Sequence, residues 1–404
     1  MRNVIIGAGA AGLSALQAIR EVDSSSEVTV VKKENAPPYS LSSLPFNLAG
    51  DIRDEKMSRF SDSYFQDMNA GVVVGRVYGI LTDSKKVILE GGKEIHYDRL
   101  LIASGSSPIM PRIEGLDKEG VHTMGSLSET WKLREAAMSA KRVVVIGAGF
   151  VGLEAAIALR KLEKEIVVVE MLERVLPKML DPDMAAIVQD MLEANMIQIR
   201  LGDEVKEVLG DKHATGVRLS ESEIDCDLVV VGIGVRPNIG FLKGTAVKMN
   251  KGVIVDDRMQ TTATDVYAAG DIVETFDMHT GTARTIAIWP NAIEQGRVAG
   301  RNMAGVETHY SGPQSVNIIN VFDTPVVALG LMSSDVEGAE SLVVNRGGST
   351  RKLIVKDDKA VGLQSIGYVR NLGFLSSLIN KGQKLGPLKE RILDERFAYP
   401  VAIK

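Results

Sequence analysis

The stretch RNVIIGAGAAGLSALQAI, Arg2 to Ile19, decides the fold because it returns as KRVVVIGAGFVGLEAAIAL, Lys141 to Leu159. Each copy runs from an apolar strand through a Gly-rich turn into a helix and is followed by a second β-branched run, VTVV or IVVVE. A buried parallel strand, a tight turn, a helix and a returning parallel strand make a βαβ unit, so the chain carries two nucleotide-binding units. In each turn the first glycine, Gly7 or Gly147, permits the bend. The second, Gly9 or Gly149, lets the backbone approach a pyrophosphate, and the third, Gly12 or Gly152, lets helix pack on strand. Ala10 and Ala11 in one copy, Phe150 and Val151 in the other, open a helix whose free N–H groups and dipole favour a phosphate. A lone GxGxxG is weak evidence; the flanking strand, helix and second strand give it weight.

A dinucleotide unit of this kind expects an acidic residue at the end of its second strand. Glu170 ends IVVVE and suits the adenosine ribose hydroxyls of NAD while disfavouring a 2′-phosphate. The bland reading is a solvated strand-end carboxylate, and Arg174 and Lys178 nearby keep a place for NADPH. The first copy has Lys32 at that position and Glu34 two residues on. Either Glu34 or a backbone group holds the ribose there, or Lys32 is a surface residue and the adenosine end is bound differently.

Around these units, 404 residues with 45% hydrophobic and 25% charged content fit two or three ordinary globular domains. A net charge of −5 argues against a nucleic-acid partner. The single cysteine, Cys226, makes no intramolecular disulfide, and no Cys/His spacing suits a metal, so no metal is expected. Cys226 itself reads as an inert core thiol. The N-terminus is like a short secretory apolar region, but it is broken by glycines and a serine and leads straight into the nucleotide unit. No apolar run reaches about 18 residues, so no membrane span and a soluble cytoplasmic protein are expected.

Between the two copies, residues 71–108 alternate apolar and polar residues with Gly and Asp-Ser breaks, as antiparallel hairpins do, and end in the continuous strand Leu100 to Ala103. The same ending recurs at DLVVVGIGVRPN, Asp227 to Asn238. Gly105 with Pro108 and Pro111 marks a crossing between domains, and Gly234 with Pro237 marks the return. The first domain is therefore split over residues 1–109 and 241–310, around a second domain at 110–240. Past residue 311 come alternating strands, VNIINVF, VVALGL and RKLIVKDDKAVGLQSIG, then a helix over Leu372 to Ile379. The expected class is α/β: two Rossmann-like three-layer domains and a C-terminal α+β domain.

The two fingerprints, joined by LLIASGSSP and followed by VYAAGD and WPNAIEQGRVAGRNMAG, resemble the flavoprotein pyridine nucleotide-disulfide oxidoreductase superfamily. The branch is that of coenzyme A disulfide reductases, NADH oxidases and NADH:rubredoxin oxidoreductases. The resemblance implies FAD on Gly7–Gly12 in the split domain, NAD(P)H on Gly147–Gly152, with Glu170 favouring NAD(H) over NADP(H), and a C-terminal interface domain that forms a homodimer. It assigns Asp271 of VYAAGD to the flavin ribityl or pyrophosphate region. The helix from Pro290 is assigned to the flavin pyrimidine, where its positive end would stabilise the reduced anionic ring. Glu154 is matched to a glutamate that reaches toward the nicotinamide. The cofactor-contacting set extends to Ala103, Ser104, Gly105, Gly234, Gly270 and Asn291.

Members that reduce disulfides carry a cysteine in a segment like YxxCxLPY. Here that segment is YSLSSLPF, Tyr39 to Phe46, and the cysteine position falls on Ser42, or on Ser43 if the register slips by one. A serine has no disulfide or sulfenate state and cannot relay electrons to sulfur. Its expected place is a turn over the flavin, bonded to backbone or to the flavin edge. The reaction left is hydride transfer from NADH to the flavin and onward passage to a rubredoxin- or ferredoxin-like carrier, a quinone or oxygen. An oxidase or coenzyme A disulfide reductase, a flavoprotein subunit of a larger electron-transfer complex, and a flavin-based redox-sensing interaction protein are the alternatives. Lys381, Lys384, Lys389, Arg391, Arg396 and Lys404, against Glu390, Asp394 and Glu395, form a basic excess that either docks an acidic carrier or is a solvated face or dimer rim. Tyr368 and Tyr399 are the candidates for the tyrosines that such reductases use across the dimer.

Overall fold

The computed structural model describes residues 1–58, 60–61, 63–277, 282–389 and 391–393. The chain divides into two compact units. The first comprises Met1–Ser40, Arg53–Ser107 and Val235–Gln314. Its centre is a five-stranded parallel sheet in the order Val266–Ala268, Arg99–Ile102, Arg2–Ile6, Glu27–Lys32, Ala70–Val74. Ile5, Val28, Val30 and Leu101 point into one apolar cluster and Val4, Ile6, Leu100 and Ile102 into another. Burial on both faces is why these strands read as unbroken apolar runs rather than as alternating ones.

Two helices of this unit, Ala10–Val22 and Trp289–Met303, lie against each other. Of the alternating stretch, residues 77–96 form the antiparallel set Val77–Leu81, Lys86–Leu89 and Glu94–His96, whereas residues 71–74 belong to the parallel edge strand Ala70–Val74, contrary to the hairpin expectation, because they pair with Glu27–Lys32. A second small sheet joins Val253–Ile254, Val273–Asp277 and Thr282–Arg284.

The second unit comprises Leu41–Ile52, Pro108–Gly234 and the segment from Ser315 onward. Its parallel sheet runs Ile197–Leu201, Glu165–Glu170, Arg142–Ile146, Leu228–Val231, Val121–His122. Arg142–Ile146, Phe150–Lys161 and Glu165–Glu170 repeat the strand, helix and strand of Arg2–Ile6, Ala10–Val22 and Glu27–Lys32, as the internal echo requires, but the edge strand Val121–His122 precedes its βαβ unit, where Val266–Ala268 follows its own. The segment from Ser315 adds a five-stranded antiparallel sheet in the order Val316–Val321, Thr324–Gly330, Lys359–Ile366, Ser349–Lys356, Glu340–Arg346. The helix Leu372–Lys381 packs on it through Leu375, Leu378 and Ile379. Glu340–Arg346 is a strand that the sequence reading did not single out, because its residues are mostly exposed and its apolar pattern is correspondingly thin.

A buried ion cluster lies inside this second unit. Lys352 Nζ sits 2.9 Å from Asp181 and 2.8 Å from Asp183, at the start of the helix Pro182–Ala194. Asp181 is fully buried and also accepts the backbone N–H of Ser333. Chain on both sides of residue 315 is thereby tied together. Of the charged and tyrosine residues named at the C-terminus, Glu390, Asp394, Glu395, Arg396, Tyr399 and Lys404 lie outside the described residues.

Candidate active site

The first Gly-rich loop leaves the strand Arg2–Ile6 at Gly7, whose φ is +110°. A Cβ at Gly7 would stand 2.0 Å from the Ala103 carbonyl oxygen, and one at Gly12 would stand 2.0 Å from the Gly7 carbonyl oxygen. Nothing lies within 4 Å of the corresponding position at Gly9. The first and third glycines therefore close the turn on the sheet and helix, and the second leaves an open face. Gly9 caps the helix Ala10–Val22 with no side-chain hydrogen bond and no acidic residue in the first turn. The loop N–H groups remain available to an anion.

The second loop repeats this chemistry. Gly147 has φ +104°, Gly152 would collide with the Gly147 carbonyl at 2.0 Å, and Gly149 begins the helix Phe150–Lys161 without a side-chain cap. Phe150 and Val151 form its first turn. Glu170 ends the strand Glu165–Glu170 and is buried. Its Oε2 accepts the N–H of Ala148, inside the loop, at 2.8 Å, and its Oε1 accepts the N–H of Leu172 at 3.0 Å. A carboxylate has about four acceptor positions, so two remain for ribose hydroxyls. Glu154 lies on the second turn of the same helix, where burial pushes its carboxyl up to about 8.

At the matching place in the first unit, Lys32 does not reach outward. Its Nζ donates to the Ala36 carbonyl at 2.8 Å and stands 5.8 Å from the Phe65 ring centre. Glu34 accepts from the Tyr39 hydroxyl at 2.6 Å. Lys32 thus staples the turn that follows its strand, and Tyr39 orients Glu34.

After the strand Arg99–Ile102, the run Ala103, Ser104 and Gly105 is knitted by Asn238, a residue the sequence reading had placed only at a strand end. Ser104 donates to the Asn238 carbonyl at 2.9 Å, Asn238 Nδ2 donates to the Ser104 carbonyl at 3.0 Å, and Ser107 donates to Asn238 Oδ1 at 2.8 Å. Ser106 donates to Asp271 Oδ2 at 2.7 Å. Gly105 and Gly270 take positive φ values of +64° and +85°, which explains glycine at both. In the second unit Gly234, φ +125°, offers its carbonyl to the Ile109 N–H.

The helix Trp289–Met303 has Pro290 in its first turn and no side-chain cap, so its N-terminus keeps unpaired N–H groups, as an anion-facing helix end would. Asn291, which the resemblance placed among cofactor contacts, is buried and turned to Gln314. Its Nδ2 donates to the Gln314 carbonyl at 3.0 Å and its Oδ1 accepts the Gln314 N–H at 2.9 Å. A cavity of about 450 Å³ beside this helix is lined by Trp289, Asn291, Glu294, Tyr310 and Gln314 among others. Gln295, also missed in sequence, is buried and accepts the Gly270 N–H at 2.8 Å. A lone Gln in a helix carries no sequence signal.

Ser42 is exposed on a single 3₁₀ turn, Leu41–Ser43, ahead of the short helix Leu44–Leu48. This segment belongs to the second unit, where its helix packs on Leu127–Ser139 and Phe150–Lys161 and Asp51 pairs with Lys161 at 2.7 Å. Cys226 is buried in the same unit, with burial pushing its thiol up to about 11.

Residues 1–296 match the family described as pyridine nucleotide-disulphide oxidoreductase, and the chain belongs to that family. It is 33% identical to an NADH oxidase of Methanocaldococcus jannaschii over 92% of this chain and 88% of that one. It is 31% identical to the epsilon subunit of an NADH-dependent phenylglyoxylate dehydrogenase of Aromatoleum evansii, over 99% and 95%. The solved NAD-dependent persulfide reductase from A. fulgidus superposes with a TM-score of 0.92 at 30% identity, covering 98% of this chain and 80% of that one. The protein is accordingly an FAD-dependent NAD(P)H oxidoreductase with an α/β fold. No described helix is long and apolar enough to cross a membrane.

Proposed function

We propose that the protein takes hydride from NADH onto FAD and passes the electrons to an acceptor that is not a disulfide. Two open-faced glycine loops at uncapped helix N-termini fit two dinucleotides, the first FAD and the second NADH. FAD, when bound, supplies the hydride acceptor and the route from two-electron to one-electron chemistry. Everything else falls to this chain's residues. The loop N–H groups bind pyrophosphates, Asp271 meets the ribityl region with Ser106 fixing its carboxylate, and the N-terminus of Trp289–Met303 meets the flavin pyrimidine. Glu170 holds the NADH ribose, and Glu154 presents an uncharged carboxyl to the nicotinamide side.

The observation that carries the choice of acceptor is the hydroxyl at residue 42 in place of a thiol, with the chain's one cysteine buried and kept as a thiol. A small iron–sulfur or rubredoxin-type protein, a quinone or oxygen fits such a site. A homodimer through the C-terminal sheet and a cytoplasmic place complete the reading. A second reading, a flavoprotein subunit of a larger complex, is favoured by the length and identity shared with the dehydrogenase epsilon subunit. A stoichiometric partner that co-purifies would establish it.

Anaerobic NADH titration of the flavoprotein tests the main reading. Bleaching of the flavin at about one NADH per FAD is expected, since no dithiol accepts a second pair. Consumption of about two NADH per FAD would reveal a further redox centre and overturn it.

A further inference from the structure

We propose that Gln295 is a positioning residue of the flavin site. It locks the Gly270–Asp271 turn to the helix Trp289–Met303, so that Asp271 and the helix N-terminus face the flavin as one rigid element. The inference rests on the reading of Asp271 and this helix given above.

The turn is built so that one hydrogen bond decides its place. Gly270, at φ +85°, sits under the first glycine loop, where a Cβ would stand 3.1 Å from Ala11 Cβ. Its carbonyl accepts the Val273 N–H, and its own N–H goes to Gln295 Oε1 at 2.8 Å. Gln295 is 3% exposed and Gly270 is partly buried, so removing the amide leaves that N–H with a poorer partner in a largely enclosed place. One helical turn earlier, at the i−4 position, buried Asn291 is pinned by both ends of its amide to Gln314. The two amides on one helix face therefore hold flanking chain: Asn291 the segment ending at residue 314, Gln295 the turn that carries Asp271. Asp271 in turn is fixed from the other side by Ser106. Tyr310 lies beside the Gln295 amide.

A role in packing alone would lower stability and leave the electronic environment of bound flavin unchanged. A positioning role moves the flavin midpoint potential and FAD affinity. The test uses the FAD-loaded protein and the substitutions Q295M, which removes the acceptor, and Q295E, which keeps it. Q295M is expected to raise the FAD dissociation constant by about ten-fold, as expected when a partly buried N–H loses its acceptor and the turn it holds is released. It should also shift the midpoint potential, with Q295E lying closer to the unaltered protein in both. Folded Q295M with unchanged affinity and potential would overturn the proposal. If Q295M does not fold, the comparison moves to Q295E and Q295N, whose shorter side chain does not reach Gly270. Lost affinity in Q295N alone supports the role, and equal affinity in both overturns it. D271A separates the two levels. If it leaves FAD binding intact, the flavin-site assignment itself fails; if it weakens FAD while Q295M does not, only the role of Gln295 fails.

Discussion

Glu154 and Glu170 are carboxylates of one nucleotide-binding unit, on its helix and at its strand end, held in opposite ways. Glu170 is buried but met by two backbone N–H groups, while Glu154 is desolvated and its carboxyl is pushed up to about 8. The folded protein therefore binds the Glu154 proton more tightly than the unfolded chain, whose glutamate titrates at an ordinary value. The stability that this contributes is complete below that ordinary value and is lost as pH rises toward 8, by up to about 1.4 kcal/mol per pH unit. Thermal unfolding of the nucleotide-free protein between pH 5 and 8 should fall more steeply for the unaltered chain than for E154Q. Identical slopes would mean that the carboxyl is ionised throughout. For Glu170, replacement by Ala abandons the Ala148 N–H of the loop, the Leu172 N–H and the ribose contact together. The KM for NADH should rise by about ten-fold or more, with a smaller change for NADPH, in steady-state assays. Equal changes would remove Glu170 from the ribose.

At the scale of elements, the contact between Ala10–Val22 and Trp289–Met303 is set by glycine on one helix against backbone on the other. A Cβ at Gly296 would stand 2.2 Å from the Ala11 carbonyl oxygen, and one at Gly300 would stand 2.5 Å from the Ala15 carbonyl oxygen. The helices approach this closely because nothing protrudes, and the approach aligns the loop at Gly7–Gly12 with the N-terminus at Pro290. Substituting Gly296 by Val forces the helices apart. A loss of about 1–3 kcal/mol in denaturant unfolding is expected, together with weaker FAD binding because Ala11 belongs to the loop. Retained affinity in a destabilised G296V protein would show that the spacing serves packing alone. The glycines of the loop were legible from their spacing. Gly296 and Gly300 were not, since glycine inside a helix declares its purpose only when the partner backbone is known.

At the scale of the whole molecule, the second unit depends on an ion cluster that joins its parts. Lys352 is nearly buried between Asp181 and Asp183, and Asp181 is fully buried. D181A removes the buried partner and leaves Lys352 only the half-exposed Asp183, and also frees the Ser333 N–H, so it should cost about 2–4 kcal/mol in denaturant unfolding. A change below ~1 kcal/mol would mean that water reaches the ammonium. The same scale separates the serine segment from its sequence neighbours. Leu41–Ile52 follows the first nucleotide unit along the chain yet packs in the second, on the helix that carries Glu154.

The sequence by itself determined the two βαβ units, the cofactor class, the strand-end Glu170 and the missing thiol, because each rests on local periodicity or on the identity of a residue at a fixed spacing. Only the tertiary structure decided what Lys32 binds, that Asn291 turns to Gln314, and that Asn238, Ser106 and Gln295 fasten the turns around Asp271. Those partners are separated from their targets by about 25 to more than 160 residues or lie around a turn with no repeating pattern. Hydrogen bonds between distant segments leave no period in a sequence; they exist only once burial has brought the segments together and removed the water that would otherwise satisfy them.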